Sequence, residues 1–526
     1  MSINTKLLAA LGLAGLAGVA QAAGPVGAGN QFFISGSTAL NNQVYDALLL
    51  TPANGGPCTA GTITIYTDAP VVAGGNLTKA KSQANIVCTL ANAIGGVAAG
   101  TVVAFSKESS GGSNEGTFYE AAQQTLAFDD MTQAPVGCGA DQGPIAAGHY
   151  FTNQQAIAHE FDGCTGPIIN QIPQIGLADE NPSLFNIGLQ AISPALIANL
   201  NTTPLFQNQF NVAVSMPLYR ALQTAQGLVL KDDTLANMPT LSRAQIAALF
   251  GGFITNWSQI GLAAHTVFTC RRGDNSGTNV SADAYFLHNR CTTDSPAMVG
   301  IVSGSAGNGP CAGLPGGQTP ENNGCTWTNG AAPTGNLSDK TFGGAGTGDV
   351  LLCLDAHSRN GDFAYGPVGG TSKFDDPNGA TGAAAEAGTN HWRYIAIGGN
   401  KPTVIGIGNG NYDYVFDNVE NVWTGLAGHP LDVANFLGSL FQSPVALSDI
   451  LVAQPNALSF PGGVVDANYV GGGLQDSFVG TPNATPTTLA AQKANPVSAF
   501  TYDAAGTVDN CQVPLAPNGS VAKEQL

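Results

Sequence analysis

The sequence predicts an exported α/β protein of two lobes, with Gly-rich loop insertions held by disulfide bonds. Three observations support this class. A strand, a hydroxyl-rich turn and a helix recur along the chain in that order, which is typical of α/β domains. The 526 residues exceed one ordinary domain. Ten cysteines, none of them near the N-terminus, indicate an oxidising compartment.

The first 22 residues are typical of a cleavable secretory signal. Lys6 precedes an apolar run, Leu7–Val19, and Ala20-Gln21-Ala22 provides small residues for cleavage before Ala23. No cysteine stands at that point for a lipid anchor, and no later apolar run is long enough to cross a bilayer. We therefore expect the protein in the periplasm or the external medium, without direct membrane insertion.

Charge limits the classes of partner. A formal net charge of -18 argues against nucleic acid and anionic membranes, which require basic patches. The same charge repels anionic ligands at long range, but salt ions largely screen this repulsion beyond about 8 Å at physiological ionic strength. An anion site in this chain must therefore be local and built from dipoles and hydrogen-bond donors.

The cysteine pattern favours disulfides over a metal site. No Cys-x-x-Cys pair occurs and the seven histidines are scattered, so neither metal nor cofactor is expected. Short loops favour four pairs and leave a fifth by elimination, namely Cys58 with Cys88, Cys138 with Cys164, Cys270 with Cys291, Cys311 with Cys325, and Cys353 with Cys511.

Two strand–turn–helix units are predicted in the first quarter of the chain. Phe32–Ile34 is a strand, and the turn through Thr38 leads into a helix with Leu40, Val44 and Leu48 on one face. Later, Val102–Phe105 leads into the glycine-rich turn Ser109–Asn114 and a helix from Phe118 to Leu126. The backbone of such a turn can approach a ligand closely.

The third unit carries the clearest chemistry. A strand ends at Cys270, Arg271, Arg272 and Asp274 follow, and Ser276-Gly277-Thr278 begin a helix. Unpaired N–H groups, the helix dipole and two hydroxyls suit an oxyanion there, and Arg272 offers a guanidinium.

Between these units we predict crossovers, helices and insertions. The predicted elements are a crossover at Asn211–Pro217, a helix from Leu241 with a Ser242/Gln245 capping box, a return strand at Asp413–Phe416 and a helix at Leu431–Leu440. The predicted insertions are residues 51–100, residues 129–166 and residues 295–388. The second is expected to be a solvated loop and the third a low-complexity excursion outside the core.

Several of these motifs resemble the phosphate-binding proteins of bacterial phosphate ABC transporters. Their Arg-x-Asp-x-Ser-Gly-Thr signature is matched by a set of five residues, Arg272, Asp274, Ser276, Gly277 and Thr278. Thr38 and Ser109 match the threonine and serine of two further binding turns. Asp179 matches the aspartate of a Ser-Asp-x-Pro segment, although Ala178 replaces its serine. Residues 241–257 also resemble a family helix and turn.

The resemblance implies a type II periplasmic binding protein fold. Lobe I would comprise residues 30–210 and 416–526, and lobe II residues 211–415. Phosphate would lie in the cleft between the lobes, bound by the eight residues Thr38, Ser109, Asp179, Arg272, Asp274, Ser276, Gly277 and Thr278. The expected function is phosphate capture, either for a membrane permease or as a secreted scavenger, rather than catalysis.

Two other classes compete with this interpretation. A secreted surface or matrix protein could reuse the binding fold, which the Gly-rich insertions and the missing lipid anchor favour. A secreted hydrolase is less favoured, because Asn275 interrupts the serine-protease-like Gly-Asp-Ser-Gly pattern and no metal ligands are spaced for a phosphatase.

Overall fold

A computed structural model describes most of the chain. The described residues are 24–80, 82–187, 191–274, 276–292, 295–299, 341–344, 347–369, 391–403, 406, 411–443, 445–446, 465–466, 497–498 and 510–511. The predicted signal sequence and the predicted Cys311–Cys325 pair lie outside these residues. No helix within them is long and apolar enough to span a membrane.

The protein is a mixed α/β structure, as predicted. Its strands are β1 Gln31–Gly36, β2 Thr64–Thr67, β3 Gln83–Thr89, β4 Val102–Glu108, β5 Leu126–Asp129, β6 His159–Asp162, β7 Ile168–Gln171, β8 Ile175–Ala178, β9 Leu200–Ser215, β10 Thr240–Leu241, β11 Phe268–Arg272, β12 Thr341–Gly344, β13 Ala364–Gly369, β14 Trp392–Tyr394, β15 Ala396–Ile397, β16 Val415–Trp423, β17 Val465–Asp466 and β18 Val497–Ser498. Its helices are α1 Asn41–Leu49, α2 Glu115–Ala122, α3 Pro194–Ile197, α4 Met216–Ala225, α5 Arg243–Phe250, α6 Gly277–Ala282, α7 Thr347–Arg359 and α8 His429–Phe441.

Twelve of these strands form one sheet. Its order is β12-β11-β13-β9-β16-β8-β1-β4-β3-β2-β6, and β14 pairs with β9 on the edge opposite β13. Strands β8, β1 and β4 are parallel, as are β12, β11 and β13. The sheet therefore has two parallel parts, each followed by helices, with β9 and β16 between them.

Strands β9 and β16 join the two parts. The first half of β9 pairs antiparallel with β16, from Leu200 opposite Trp423 to Gln209 opposite Val415. Its second half pairs with β13, from Phe210 opposite Gly369 to Val214 opposite Tyr365. These strands lie where the two crossovers are predicted. The lobe boundaries themselves stay a prediction.

Helices cover the sheet through distinct apolar clusters. One cluster joins β1 and β4 with α1 and α8, and includes Phe32, Val44 and Leu437. Another joins β9, α4 and α5 around Trp257, whose indole N–H donates to the Phe363 carbonyl oxygen at 3.2 Å. The predicted capping box is present, with the Ser242 and Gln245 side chains bonded reciprocally to the backbone.

The predicted excursion at residues 295–388 is wrong in part. Residues Thr341–Gly344 and Ala364–Gly369 are buried strands of the main sheet, and Thr347–Arg359 is a helix packed against them. The dense Gly and Ala composition hid these elements because it dilutes the apolar periodicity. In the described part of this region, the chain contributes core rather than loop.

The insertion at residues 129–166 also departs from the predicted solvated loop. His159–Asp162 is the edge strand β6, and the side chains of Glu160 and Asp162 are fully buried. The Glu160 carboxylate accepts the N–H groups of Asn76 and Leu77 at 2.7 and 3.0 Å and the Tyr150 hydroxyl at 2.8 Å. Burial is tolerated because donors of the neighbouring loop satisfy that carboxylate.

Four disulfides lie within the described residues. The predicted pairs Cys58–Cys88 and Cys138–Cys164 are confirmed. The pairing of Cys270 with Cys291 and of Cys353 with Cys511 is wrong. Cys270 instead bonds Cys353 where β11 packs on α7, and Cys291 bonds Cys511. The preference for short loops predicts the wrong pairs here, because packing of the fold brings together cysteines that are 83 and 220 residues apart.

Candidate anion-binding site

The candidate site lies where β11 ends and α6 begins. Strand β11 is buried at Arg272, and a short turn leads to Ser276, whose carbonyl accepts the N–H groups of Asn279 and Val280 at 3.0 and 2.9 Å. The helical segment continues past α6 as one π-turn through Leu287. The Ser276 side chain makes no capping hydrogen bond, so its hydroxyl is not used within the helix. The N-terminal N–H donors of this segment thus follow Arg272 closely along the chain.

Asp179 lies against the start of that helix. It follows β8, is buried, and accepts a hydrogen bond from the Ser37 hydroxyl. Its own N–H donates to the Ser113 hydroxyl oxygen at 3.2 Å. A Cβ atom on Gly277 would come within 2.3 Å of Asp179 Oδ2 and 2.4 Å of Ser113 Oγ. Only a glycine allows this contact between the two parts of the sheet.

Arg272 is the cation of the site. Its side chain is buried, and Nη1 donates weakly to the Thr347 hydroxyl at 3.4 Å. Its Nε is buried and has no hydrogen-bond acceptor among the described residues. Nη2 faces the glycine-rich turn, where it would lie 3.8 Å from a Cβ placed on Gly112. A buried guanidinium with an unused donor is costly unless a ligand accepts from it.

The surroundings of Asp179 set its charge. Burial raises the pKa of Asp179, while the hydroxyls of Ser37 and Ser113 and the cations Arg272 and Lys107 oppose that rise. Burial likewise lowers the pKa of Arg272 from its usual range. The carboxylates of Asp349 and, to a smaller extent, Asp179 attract the Arg272 guanidinium electrostatically and oppose that lowering.

Lys107 is a second buried cation near Asp179, and the sequence reasoning did not select it. Its ammonium group donates to the carbonyl oxygens of Gly36 and, at 3.2 Å, Glu108. Burial lowers the pKa of Lys107 to about 8, against the opposing effect of nearby carboxylates, Glu108 foremost. The sequence signal for it is a lysine near the end of a largely apolar strand, directly before Glu108. It holds the backbone next to Ser37.

The structure brings together five of the eight residues that the sequence predicts. Asp179 contacts Gly277, Arg272 interacts electrostatically with Asp179, and Ser276 and Thr278 are buried on either side of Gly277. These residues form a compact group of one guanidinium, one carboxylate, two hydroxyls and a helix N-terminus. Such a group can bind a tetrahedral oxyanion that carries a proton for the carboxylate.

The other three residues lie at the margin of this group. Thr38 is exposed, and its neighbour Ser37 contacts Asp179 instead. Ser109 donates to the Ser82 carbonyl oxygen at 3.3 Å, while Ser113 lies against Asp179.

Asp274 is half-exposed and paired with Arg271 rather than Arg272, at 2.8 Å. The hydroxyls that contact Asp179 stand one and four residues away from the matched Thr38 and Ser109. Ligand binding by Thr38, Ser109 and Asp274 stays a prediction.

Comparison with known proteins gives only distant likenesses. No protein-family profile and no curated protein matches the sequence. Among solved structures, one described as a phosphate ABC transporter substrate-binding protein with bound phosphate, from Clostridium perfringens, is 10% identical with a TM-score of 0.35. That alignment covers 78% of this chain and 93% of the other.

Two further structures are similar at the same level. PstS from Borrelia burgdorferi is 10% identical over 80% of this chain and 96% of its own, with a TM-score of 0.31. An ABC-type phosphate transport receptor from Vibrio cholerae is 12% identical over 53% of this chain and 78% of its own, with a TM-score of 0.28. These values do not assign a function, which has to come from the site.

Proposed function

We propose that this chain is an exported phosphate-binding protein. The observation that supports the proposal most is the buried Arg272, whose Nε has no hydrogen-bond acceptor among the described residues and whose strand leads into the N-terminus of α6. Phosphate would accept from Arg272, from the first N–H groups of α6 and from the hydroxyls of Ser276 and Thr278. The hydroxyl group of monohydrogen phosphate would donate a hydrogen bond to the Asp179 carboxylate.

Ligand entry would require Asp179 and Gly277 to separate. In the structure they are in contact, so the carboxylate occupies the place beside the helix start that an anion would take. Asp179 follows β8 and Gly277 follows β11, and these strands belong to the two parts of the sheet that β9 and β16 connect. Bending at those strands would open the space, and phosphate would then bridge both parts.

The role of the protein would be capture rather than chemistry. Phosphate would be passed to the permease of a phosphate ABC transporter or retained outside the cell by a secreted scavenger. A hydrolase would release phosphate from an ester, whereas a binding protein only retains the free ion. Incubation with a chromogenic phosphate ester separates these cases, and we expect no release above the rate without protein.

Calorimetric titration with inorganic phosphate tests the proposal directly. Arg272→Gln removes the guanidinium and should cost about 2–5 kcal/mol of binding free energy, a loss of at least thirtyfold in affinity. Arg359→Gln is the matched control, because Arg359 only pairs with Asp355 on the helix surface. If wild type does not bind phosphate, or if both variants bind it equally, the proposal fails.

A further inference from the structure

A cluster of polar contacts joins the two chain segments that meet at Asp179 and Gly277. At its centre is Arg290, whose side chain is only 1% exposed. Its Nε donates to Asp283 Oδ2 at 3.1 Å, and its Nη2 donates to the Asp274 carbonyl oxygen at 3.0 Å. Arg290 therefore binds the chain both before and after α6.

Arg290 also binds the segment that follows Asp179. Its Nη1 donates to the carbonyl oxygens of Leu184 and Ile187 at 3.3 and 3.5 Å, and its own carbonyl oxygen accepts from the Asn186 amide at 2.8 Å. Hydrogen bonds from a charged donor are stronger than those between neutral groups. This one side chain thus connects the segment after β8 to the segment around α6.

Residues 510–511 add a second connection at the same place. Cys511 is bonded to Cys291, the residue after Arg290. Asn510 is 5% exposed, and its Oδ1 accepts the N–H of Asn181 at 2.7 Å. The disulfide therefore holds Asn510 next to one segment while its side chain binds the other. We call Arg290, Asn510 and the Cys291–Cys511 disulfide the latch.

The latch lies close enough to the anion site to restrain its opening. Asn181 is two residues from Asp179, and Asp274 is three residues from Gly277. Because a chain extends by no more than about 3.6 Å per residue, these separations are at most about 7 and 11 Å. Asp179 therefore cannot move far from Gly277 without straining or breaking the contacts of the latch.

We infer that the latch slows the exchange of phosphate at the anion site. The disulfide stays closed without a reductant, so the hydrogen bonds of Asn510 and Arg290 are the contacts that must break when the site opens. Entry and release both need this opening, and the latch therefore slows both. The inference rests on the proposed function and deepens it, because slow exchange suits a secreted protein that retains phosphate rather than one that delivers it rapidly to a permease.

Release of radiolabelled phosphate tests this inference on the full chain. The protein is loaded with labelled inorganic phosphate, unlabelled phosphate is added in excess, and loss of the label is followed over time. Asn510→Ala removes one hydrogen bond and should speed release about two- to tenfold. Cys291→Ser with Cys511→Ser should have at least the same effect, because Asn510 is then no longer held in place. The dissociation constant should change less than the release rate, since entry is accelerated as well.

Two control variants separate the latch from general loosening of the fold. Asn85→Ala removes a fully buried asparagine whose amide donates to Asp129 Oδ2 at 2.9 Å. Cys58→Ser with Cys88→Ser removes a disulfide, and both Asn85 and Cys88 belong to β3, in the other part of the sheet from α6. Both controls should release phosphate at the wild-type rate. Unchanged release from Asn510→Ala, or equal acceleration in a control, would overturn the inference.

Amide hydrogen exchange of the phosphate-free protein keeps this inference distinct from the proposed function. Opening exposes the first N–H groups of α6 to water, so a peptide of residues 276–282 should exchange faster in Asn510→Ala than in wild type or Asn85→Ala. If wild type binds no phosphate, the proposed function fails, and this measurement alone decides whether the latch restrains the contact between Asp179 and Gly277. Equal exchange in wild type and Asn510→Ala refutes the latch.

Discussion

Replacing Gly277 with alanine should destabilise the protein and impair phosphate binding, because no room exists for a methyl group. The added carbon would lie 2.3 Å from Asp179 Oδ2, 2.4 Å from Ser113 Oγ and 2.8 Å from Asp179 Cβ. Non-bonded carbon atoms prefer separations of about 3.5–4.0 Å. The neighbours would therefore have to move by about 1 Å, and the Asp179 contact includes the base of the side chain as well as its flexible end.

The cost can be bounded by two ways of relieving the clash. Keeping the present packing overpacks the contact, which costs about 1–3 kcal/mol. Turning Asp179 away breaks its hydrogen bond with Ser37, and such bonds to charged groups are worth about 1.5–3 kcal/mol. The free energy of unfolding should fall by a similar amount by either route, about 1–3 kcal/mol.

Urea denaturation at pH 7 measures this loss, and Gly273→Ala is the matched control. Gly273 is in the same turn, but nothing lies within 4 Å of a Cβ placed on it. We expect the midpoint of Gly273→Ala to match wild type and that of Gly277→Ala to fall, with phosphate affinity reduced at least tenfold only in Gly277→Ala. Equal midpoints for the two variants would refute the contact between Gly277 and Asp179.

Three more predictions concern the disulfides, a buried acid and ligand selectivity. Peptide mapping without reduction should recover Cys291–Cys511, and replacing both cysteines with serine should lower the free energy of unfolding by about 2–5 kcal/mol in urea denaturation; recovery of Cys291 linked to another cysteine would contradict this. Burial raises the pKa of Glu420 from its ordinary 4.5 to about 8, so the folded state holds the proton and Glu420 makes stability fall as the pH rises from about 4.5 to about 8. Glu420→Gln should flatten that fall when urea midpoints are compared at pH 5 and pH 8, and an unchanged slope would count against the buried acid. Sulfate lacks the proton that phosphate can donate to Asp179, so competition calorimetry should show a strong preference for phosphate that Asp179→Asn narrows; full discrimination in the variant would exclude this role.

Elements with a complete local pattern could be predicted from the sequence. The helix with the Ser242/Gln245 capping box and the turn from Arg272 to Gly277 combine an apolar period with end signals within a few residues, and both are present. The two short disulfides are local in the same sense, since cysteines 30 and 26 residues apart bracket their own loops. In these cases residues close together in the sequence are sufficient to predict the local structure.

Features that depend on distant packing could not be predicted. Cys270 meets Cys353 because α7 packs on β11, and that helix was hidden in a Gly-rich stretch, although Val350, Leu354 and His357 have helical spacing and are buried. The helix predicted to reach Leu126 ends at Ala122, and Leu126 instead begins a strand that pairs with β7.

The hydroxyl beside Asp179 shows that a sequence motif can locate a turn without identifying the residue that makes the contact. A motif match marks a turn, but the backbone path decides which of two adjacent residues faces inwards. Ser37 does so, whereas the matched Thr38 faces solvent.

The position of β16 in the sheet has a consequence for the order in which the protein can fold. This strand lies between β8 and β9, yet it begins only at Val415. Until that residue has been synthesised, the chain can form two half-sheets whose facing edges are unpaired, and such edges invite association with other chains. A nascent or truncated chain that ends before Val415 therefore exposes the middle of its own sheet, and completion of the fold waits for the last quarter of the polypeptide.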